Sequence, residues 1–367
     1  MAYFICFVLS FSLFYFAESN KKLTKNAFWF LSCILILYWT LLIGLQYNVG
    51  TDYPTYYRMF YDAGFAESQH NWRNNNEPLF FHMAGFIASS ALPPQSGFVI
   101  TALIKASLFF VFIKKFEISK PSIFILLFFT VATIFVNQTN LIRQAIAVYI
   151  FSLSIYFVLK RKFIFFCLTV YIASMFHRSA LFMLPIFFVP ILIKKLNAYH
   201  FIIMLFVSLF LSTRNFFELI EPIIILTPYA AFLDASDHFF EPVALVNRLT
   251  RYAFIPFYLL SLRSLHTLND VEKKLFHIGF VFYCFRLILL SLAAVNRLSI
   301  YFEIVQLFPL YFMMVNFMNA NKKKAYSNIF MMFVFLSIII GMQAGRTLVF
   351  PTQEYDYRSI LSRIKPG

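Results

Sequence analysis

The sequence predicts an all-α fold, that of a polytopic helical integral membrane protein. Hydrophobic residues make up 61% of the 367 residues and charged residues only 13%, and the mean hydropathy is +0.74. A soluble protein of this length could not cover so much apolar surface. Apolar runs recur along the chain, and helices satisfy their own backbone hydrogen bonds in lipid.

About twelve apolar runs predict transmembrane helices. In chain order they cover 2–17, 27–45, 97–113, 121–136, 141–159, 163–176, 179–193, 199–213, 251–262, 275–295, 298–317 and 327–343. The first run lacks a positive segment before it and a clear cleavage site, so we expect a retained helix. The run 77–92 is expected to be re-entrant or juxtamembrane, because counting it as a span would place the lysine loop 114–120 outside. A single transmembrane domain, 1–367, is expected.

Lysine and arginine separate by predicted membrane side. Lysines dominate the predicted cytoplasmic loops, where anionic lipid favours them, so the net charge of +15 does not indicate nucleic-acid binding. Arginines gather on the predicted outer side, at positions 58, 73, 143, 178, 214, 248, 251, 297, 346, 358 and 363. Because a guanidinium group holds phosphate with two hydrogen bonds, this pattern indicates a phosphorylated substrate outside. Codon bias is the alternative explanation.

Three predicted outer segments, 46–76, 214–250 and 344–367, are long enough to contribute to a site on the outer face. They carry acidic residues beside the arginines. A site that grips an anion and takes a proton from a hydroxyl group needs both kinds of side chain on one side of the membrane.

Two tight outer turns carry candidate residues. Arg143 falls in the first turn of its helix, where free N–H groups reinforce an anion site; the alternative is snorkelling to lipid headgroups. His177 is a candidate general base or phosphate ligand, and Arg178 follows it. Structurally, His177 could equally be a satisfied polar tip.

The first outer segment supplies the candidate carboxylates. Asp52 is the leading carboxylate base, and on a short helix it would share a face with Tyr56; Arg58 follows two residues later. An amphipathic helix lying on the membrane is the alternative. Glu77 is the first residue of the apolar run 77–92. A carboxylate at such a position either has a function or is an ordinary helix cap.

Further candidates lie towards the carboxyl end. Arg248 and Arg251 are three residues apart and therefore share a helix face. Arg297 is a further candidate ligand for an anion on the outer side. The alternative is an ion pair with Glu303. Two basic residues, Lys105 and Arg286, fall within predicted spans and require partners that the sequence does not identify.

The sequence lacks several motifs that bind nucleotides or metals. There is no Walker A pattern, no G-x-G-x-x-G, no Asp-x-Asp and no Cys/His cluster. We therefore expect chemistry without ATP, a nucleotide sugar or another cofactor, on a substrate that arrives already activated.

Taken in order, these residues resemble the EpsG family of polysaccharide polymerases, which includes many Wzy-type O-antigen polymerases. The resemblance covers about residues 45–310. Its pieces are Val49-Gly50-Thr51-Asp52-Tyr53 with Tyr56, Asn76-Glu77-Pro78-Leu79-Phe80, Ile142-Arg143-Gln144 with Ala147, Phe176-His177-Arg178-Ser179-Ala180-Leu181 with Pro185, and Asn296-Arg297 with Tyr301 and Pro309. Residues 214–250 show no shared pattern.

The resemblance implies a reaction like that of GT-C glycosyltransferases, on the periplasmic side of the bacterial inner membrane. A growing glycan on undecaprenyl diphosphate is transferred to a new lipid-linked repeat unit. Arg143, Arg178 and Arg297 would stabilise the departing diphosphate without a metal, and Asp52 or His177 would take the acceptor proton. The implied partners are the lipid-linked oligosaccharide, membrane lipid and a chain-length regulator protein.

Two other functions stay open on the sequence alone. A flippase for the same lipid-linked glycan would also use arginines, but along a path through the bilayer, where only Lys105 and Arg286 are placed. A membrane O-acyltransferase would need a histidine reached from the cytoplasm, whereas His177 is predicted to lie outside.

Overall fold

The computed structural model describes most of the chain. The described residues are 2–20, 23–73, 76–193, 196–212, 243, 245–291, 296–318 and 358–360, with positions 222 and 341. Nearly all of the predicted span 327–343, and most of the predicted outer segments 214–250 and 344–367, lie outside them. Within the described ranges every regular element is helical, apart from one isolated antiparallel bridge between Gln46 and Ser359. The all-α prediction is therefore confirmed.

The chain divides into two compact units, Met1–Phe187 with Gln343–Gly367, and Phe188–Met342. The α-helices described in the first unit are α1 (Ala2–Asn20), α2 (Lys25–Gly44), α3 (Tyr53–Tyr61), α4 (Ala63–Trp72), α5 (Pro78–Ser89), α6 (Gln95–Lys115), α7 (Pro121–Thr130), α8 (Ile134–Asn137), α9 (Ile142–Leu159) and α10 (Phe163–Ser174). The 3₁₀ helix Arg178–Phe188 follows them.

The second unit is also helical wherever it is described. Its α-helices are α11 (Val189–Leu192), α12 (Ala198–Leu211), α13 (Leu245–Tyr252), α14 (Ile255–Ser261), α15 (Asp270–Ile288) and α16 (Leu307–Met318). Its 3₁₀ helices are Leu262–Thr267, Leu289–Ser291 and Arg297–Phe302.

The described helices fit a membrane-embedded protein. Five segments are long and apolar enough to cross a bilayer, namely Ala2–Ser19, Lys25–Gly44, Gln95–Lys115, Ile142–Leu159 and Arg297–Met318. Five further apolar helices have 10–17 residues, namely Pro78–Ser89, Pro121–Thr130, Phe163–Ser174, Arg178–Leu192 and Ala198–Leu211. A polytopic helical membrane protein is thus confirmed, whereas the described residues do not support the predicted count of about twelve spans.

Proline and β-branched residues explain where the apolar runs break. The predicted helix 121–136 ends at Thr130, whose Oγ1 donates to its own helix at Leu126 O, 2.6 Å away, and β-branched Val131 and Thr133 follow. The predicted helix 179–193 is a 3₁₀ helix over most of its length, with Pro185 inside it. Proline lacks the N–H that an α-helix requires.

An aromatic core holds the first unit together. Helix α2 packs along α6, α9 along α10, and α1 along α7. Trp39 is 1% exposed, and its indole N–H donates to Ser10 Oγ at 2.9 Å. The surrounding rings are Phe109, Phe110, Phe128, Phe129 and Phe135.

Three shorter helices, α3, α4 and α5, form a separate packed cluster that positions the site. Its buried side chains include Tyr56 and Phe60 of α3, Phe80 and Phe81 of α5, and Ile142 at the start of α9. The 12 residues of α5 rise roughly 18 Å, which is short of the ~30 Å hydrocarbon core. The re-entrant or juxtamembrane position of this run stays a prediction.

The two basic residues inside predicted spans both have partners. Lys105 Nζ, at the middle of α6, donates to the carbonyl of Gln138 at 2.9 Å. In the second unit, Arg286 Nη2 of α15 donates to Glu303 Oε1 at 2.7 Å, and both side chains are buried. A buried charge needs such a partner, and sequence spacing did not identify either one.

Candidate functional site

Glu77 is the centre of a polar cluster in the first unit. It immediately precedes α5, and its backbone adopts the left-handed conformation, with φ 66° and ψ 44°. Left-handed backbone is uncommon for residues other than glycine and is enriched at functional sites. The Glu77 side chain makes no capping hydrogen bond to α5, so the helix-cap alternative is wrong. It is 3% exposed and turns towards other segments.

Two segments that are distant in sequence from Glu77 supply three partners to its carboxylate. Arg143 Nη1 donates to Oε2 in a close ion pair. The backbone N–H of Arg178 donates to Oε1 at 3.2 Å. His177 Nδ1 lies 2.7 Å from the same Oε1, a close contact that falls short of an aligned hydrogen bond. The structure therefore unites four of the predicted site residues.

Arg143 is enclosed by aromatic rings. It lies in the first turn of α9, as predicted, and its Nε donates to the Tyr56 hydroxyl at 3.4 Å. Its guanidinium carbon lies 5.7–6.0 Å from the ring centroids of Tyr56, Phe80 and Phe81. Because the side chain is only 11% exposed, its main partners are Glu77 and these rings.

The turn between α10 and the 3₁₀ helix presents His177 and Arg178. Met175 O accepts the backbone N–H of Leu79 at 3.1 Å, which ties the turn to the start of α5. The His177 side chain is 23% exposed, and Arg178 is exposed. Contact of Nδ1 with Glu77 leaves Nε2 as the ring nitrogen that can meet a substrate.

An open cleft lies beside this cluster. Its volume is about 260 Å³, and its lining residues are Trp72, Arg73, Asn76, Glu77 and Arg178. The sequence did not indicate Arg73, Trp72 or Asn76 as site residues. The sequence feature that could have indicated Arg73 is its position shortly before Glu77, in a predicted outer segment rich in charged residues.

The electrostatics of the cluster favour an anion. Burial by itself raises the pKa of Glu77, but contact with His177, the charge of Arg143 and the Arg178 N–H outweigh it and lower the pKa to about 2. Burial and the nearby Arg143 charge lower the pKa of Arg73. The Arg143 and Arg73 guanidinium groups therefore lie near one ionised carboxylate, and Arg73 and Arg178 line the open cleft beside it, which gives this region excess positive charge.

Comparison with known proteins identifies the family. A sequence model of the EpsG family matches residues 29–355. The chain belongs to the EpsG family. Comparison with curated proteins and with solved structures finds no match.

Asp52 and Arg58 of this EpsG-family chain lie outside the Glu77 cluster. Asp52 is exposed at the N-terminus of α3, and its backbone N–H donates to Asn140 Oδ1 at 2.8 Å. Among the described residues, its carboxylate makes no ion pair with Arg143 or His177. Tyr56, which was expected to share a face with Asp52, is instead buried. The Arg58 guanidinium lies 4.2 Å from the ring centroid of Phe65.

The remaining predicted arginines belong to the second unit. Arg248 and Arg251 both lie on α13, which begins before the predicted helix 251–262. Arg248 Nε donates to Val243 O at 2.7 Å. Arg251 Nη1 donates to Asn296 Oδ1 at 2.8 Å. Arg297 begins a 3₁₀ helix and is exposed. The structure thus brings Arg143, through its guanidinium group, and Arg178, through its backbone N–H, to Glu77, whereas convergence of their guanidinium groups with that of Arg297 stays a prediction.

Proposed function

We propose that this protein is a membrane polysaccharide polymerase that joins glycans carried on a lipid diphosphate. EpsG family membership supports a membrane glycan polymerase-like function. The observation that carries the proposal is the basic cleft in which Arg73 and Arg178 accompany the Glu77 cluster. A glycosyl diphosphate is an anion with a built-in leaving group, which suits such a cleft.

The proposed reaction is a single displacement. A hydroxyl oxygen of the acceptor sugar attacks the anomeric carbon of the donor glycan and forms the new glycosidic bond. The bond between that carbon and the diphosphate oxygen breaks, and the lipid diphosphate leaves with the electron pair. Arg73 and Arg178 stabilise the charge that develops on the leaving group. The acceptor proton moves to a base of the protein.

His177 is the base that the geometry favours over Asp52. The Glu77 carboxylate lies against Nδ1, so it can orient the ring and stabilise the imidazolium formed when Nε2 accepts the proton. Within the described part of the chain, Asp52 has no such neighbour, and it lies outside the cluster. Arg143 holds Glu77 in place from inside the aromatic enclosure.

We further propose that the substrate is an undecaprenyl-diphosphate-linked O-antigen repeat unit and that the cleft opens to the periplasm. The lysine-rich loops support this side, because they are expected in the cytoplasm and place the cleft on the opposite side of the membrane. We also propose that the reaction resembles that of GT-C glycosyltransferases and needs no metal. Further substrate contacts are proposed for Arg58, Arg248, Arg251 and Arg297, and a chain-length regulator is the proposed partner protein.

Complementation of a strain lacking the gene tests the proposal. Wild-type protein should restore a ladder of long glycan chains on a gel of surface lipopolysaccharide. His177→Ala should leave only single repeat units, with polymer reduced by at least ~100-fold, which is the lower range for loss of a general base. His200→Ala is the matched control, because His200 is exposed in a helix-capping box and should leave the ladder intact.

A second pair of variants tests the basic cleft. Arg178→Gln should abolish the ladder, whereas Arg263→Gln, which changes another exposed arginine, should not. A normal ladder from both His177→Ala and Arg178→Gln would overturn the assigned site. Repeat units stranded inside the cell in the deletion strain would favour a flippase instead.

A further inference from the structure

The cleft beside Glu77 contains an open indole ring. Trp72 is the last residue of α4 and is 73% exposed, whereas Trp39 in the core is 1% exposed. Trp72 lines the cleft together with Arg73, Glu77 and Arg178. Its position in a cleft lined by charged side chains, more than its exposure, makes this aromatic face available to a ligand.

Arg73 connects this ring to the charged part of the cleft. Its guanidinium carbon lies 5.2 Å from the Trp72 ring centroid. Asn76 Nδ2 donates to the Arg73 carbonyl at 2.6 Å. Among the described residues, the enclosed Nε of Arg73 has no hydrogen-bond partner. The cleft therefore has an aromatic face and a guanidinium group side by side.

We infer that Trp72 is the platform on which the phosphate-bearing sugar of the substrate stacks, while Arg73 and Arg178 hold its diphosphate. The face of an indole carries negative partial charge, and the apolar face of a sugar presents C–H groups of positive partial charge. The cleft volume of about 260 Å³ lies below the roughly 300–1,000 Å³ typical of drug-sized ligands. That size suits one sugar with its phosphates better than a whole repeat unit.

This inference rests on the proposed function, which supplies the lipid-linked glycan as ligand. Binding to the purified full-length protein tests it with two probes. One is the lipid-linked repeat unit extracted from a strain lacking the gene, and the other is undecaprenyl diphosphate, which has no sugar.

Trp72→Ala should weaken repeat-unit binding by about tenfold and leave undecaprenyl diphosphate binding unchanged. Trp72→Phe, which keeps an aromatic face, should retain most of the repeat-unit affinity. Arg73→Gln should weaken the binding of both probes, because it removes a phosphate ligand. Trp29→Ala is the matched control, since Trp29 lies on α2 away from the cleft, and it should change neither affinity.

Two results would overturn the sugar platform. One is equal weakening of both probes by Trp72→Ala, as expected if the indole only anchors α4 at the membrane interface. The other is no effect on either probe. Failure of the proposed function looks different, because the wild-type protein would then bind the repeat unit with the stated Trp72 dependence and still produce no glycan ladder.

Discussion

Glu77 combines burial, a left-handed backbone and two basic side-chain partners, and each feature depends on the others. The backbone at φ 66° directs the carboxylate away from α5 and towards Arg143 and His177. Arg143 in turn has aromatic rings on its other sides, so Glu77 is its charge partner. At this scale the site consists of a buried carboxylate in contact with an arginine and a histidine.

Glu77→Gln should both destabilise and inactivate the protein. It keeps the size of the side chain but leaves the Arg143 charge unpaired in a largely buried position, which typically costs about 3–5 kcal/mol. Thermal unfolding of the purified protein and the glycan ladder measure the two effects. Glu67→Gln, on the exposed surface of α4, should change neither. An active and stable Glu77→Gln protein would show that the carboxylate has no such role.

The acid stability of the protein should depend on Glu77. Its pKa lies at about 2, against an ordinary value of 4.5, so the ionised form stabilises the fold. This stabilisation is fully present above about pH 4.5 and is lost as the pH falls through 2. At about 1.4 kcal/mol per pH unit it amounts to roughly 3 kcal/mol.

Unfolding measured between pH 6 and pH 2 checks this contribution. The wild-type protein should lose stability more steeply towards low pH than Glu77→Gln, whereas Glu67→Gln should follow the wild type. Equal pH slopes for the wild type and Glu77→Gln would contradict the low pKa of Glu77.

The sequence indicated Arg143, Glu77, His177 and Arg178 as site residues because they lie in short polar segments between apolar runs. It did not indicate which of them meet. Glu77 and Arg143 are 66 positions apart, and Glu77 and Arg178 are 101 apart, so their contacts depend on how α5, α9 and the His177 turn pack. Arg73 and Trp72 were missed because their roles follow from the shape of the cleft.

At the scale of helices and loops, the connection from α8 to α9 positions Arg143 in the site. Residues 138–141 receive three contacts from elsewhere in the unit. Lys105 Nζ donates to Gln138 O at 2.9 Å, Gln46 Nε2 donates to Thr139 O at 3.1 Å, and the Asp52 N–H donates to Asn140 Oδ1 at 2.8 Å. These contacts fix the start of α9, and with it the direction in which Arg143 leaves the helix.

Gly50→Ala should disturb this connection. Gly50 has φ +83°, and a Cβ there would lie 2.8 Å from Asn140 Oδ1, so the substitution adds both backbone strain and a clash. We expect a loss of about 1–3 kcal/mol in unfolding free energy and a shorter glycan ladder.

Gly85→Ala is the matched control for that substitution. Gly85 lies within α5, and no atom lies within 4 Å of a Cβ built there. Alanine favours a helix over glycine by up to about 1 kcal/mol, so this variant should unfold at the same or a higher temperature. Comparable losses from both substitutions would show that the Gly50 contact with Asn140 has no special role.

At the scale of the whole molecule, the predicted orientation follows from the loops rich in basic residues, because cytoplasmic loops of membrane proteins carry an excess of lysine and arginine. It places the first outer segment, 46–76, on the side opposite the lysine loop 114–120. Both segments are described almost completely and contain exposed serines, which makes the orientation open to direct measurement.

Cysteine labelling in whole cells checks this orientation. In a protein whose four cysteines are replaced by alanine, Ser68→Cys should react with a membrane-impermeant maleimide added from outside, whereas Ser119→Cys should react only after the inner membrane is permeabilised. The reverse pattern would place the Glu77 cleft on the cytoplasmic side and overturn the periplasmic assignment, while leaving the geometry of the site unchanged.

The amino-acid sequence alone determined the membrane class, the helical fold and most of the polar residues of the site, because hydropathy and helix period are local properties. Only the tertiary structure decided that Glu77 is the centre of the cluster, that aromatic rings enclose Arg143, and that Arg73 and Trp72 border the cleft. It also decided where long apolar runs break into shorter helices. These features arise from packing between segments that are distant in sequence, which local patterns do not encode.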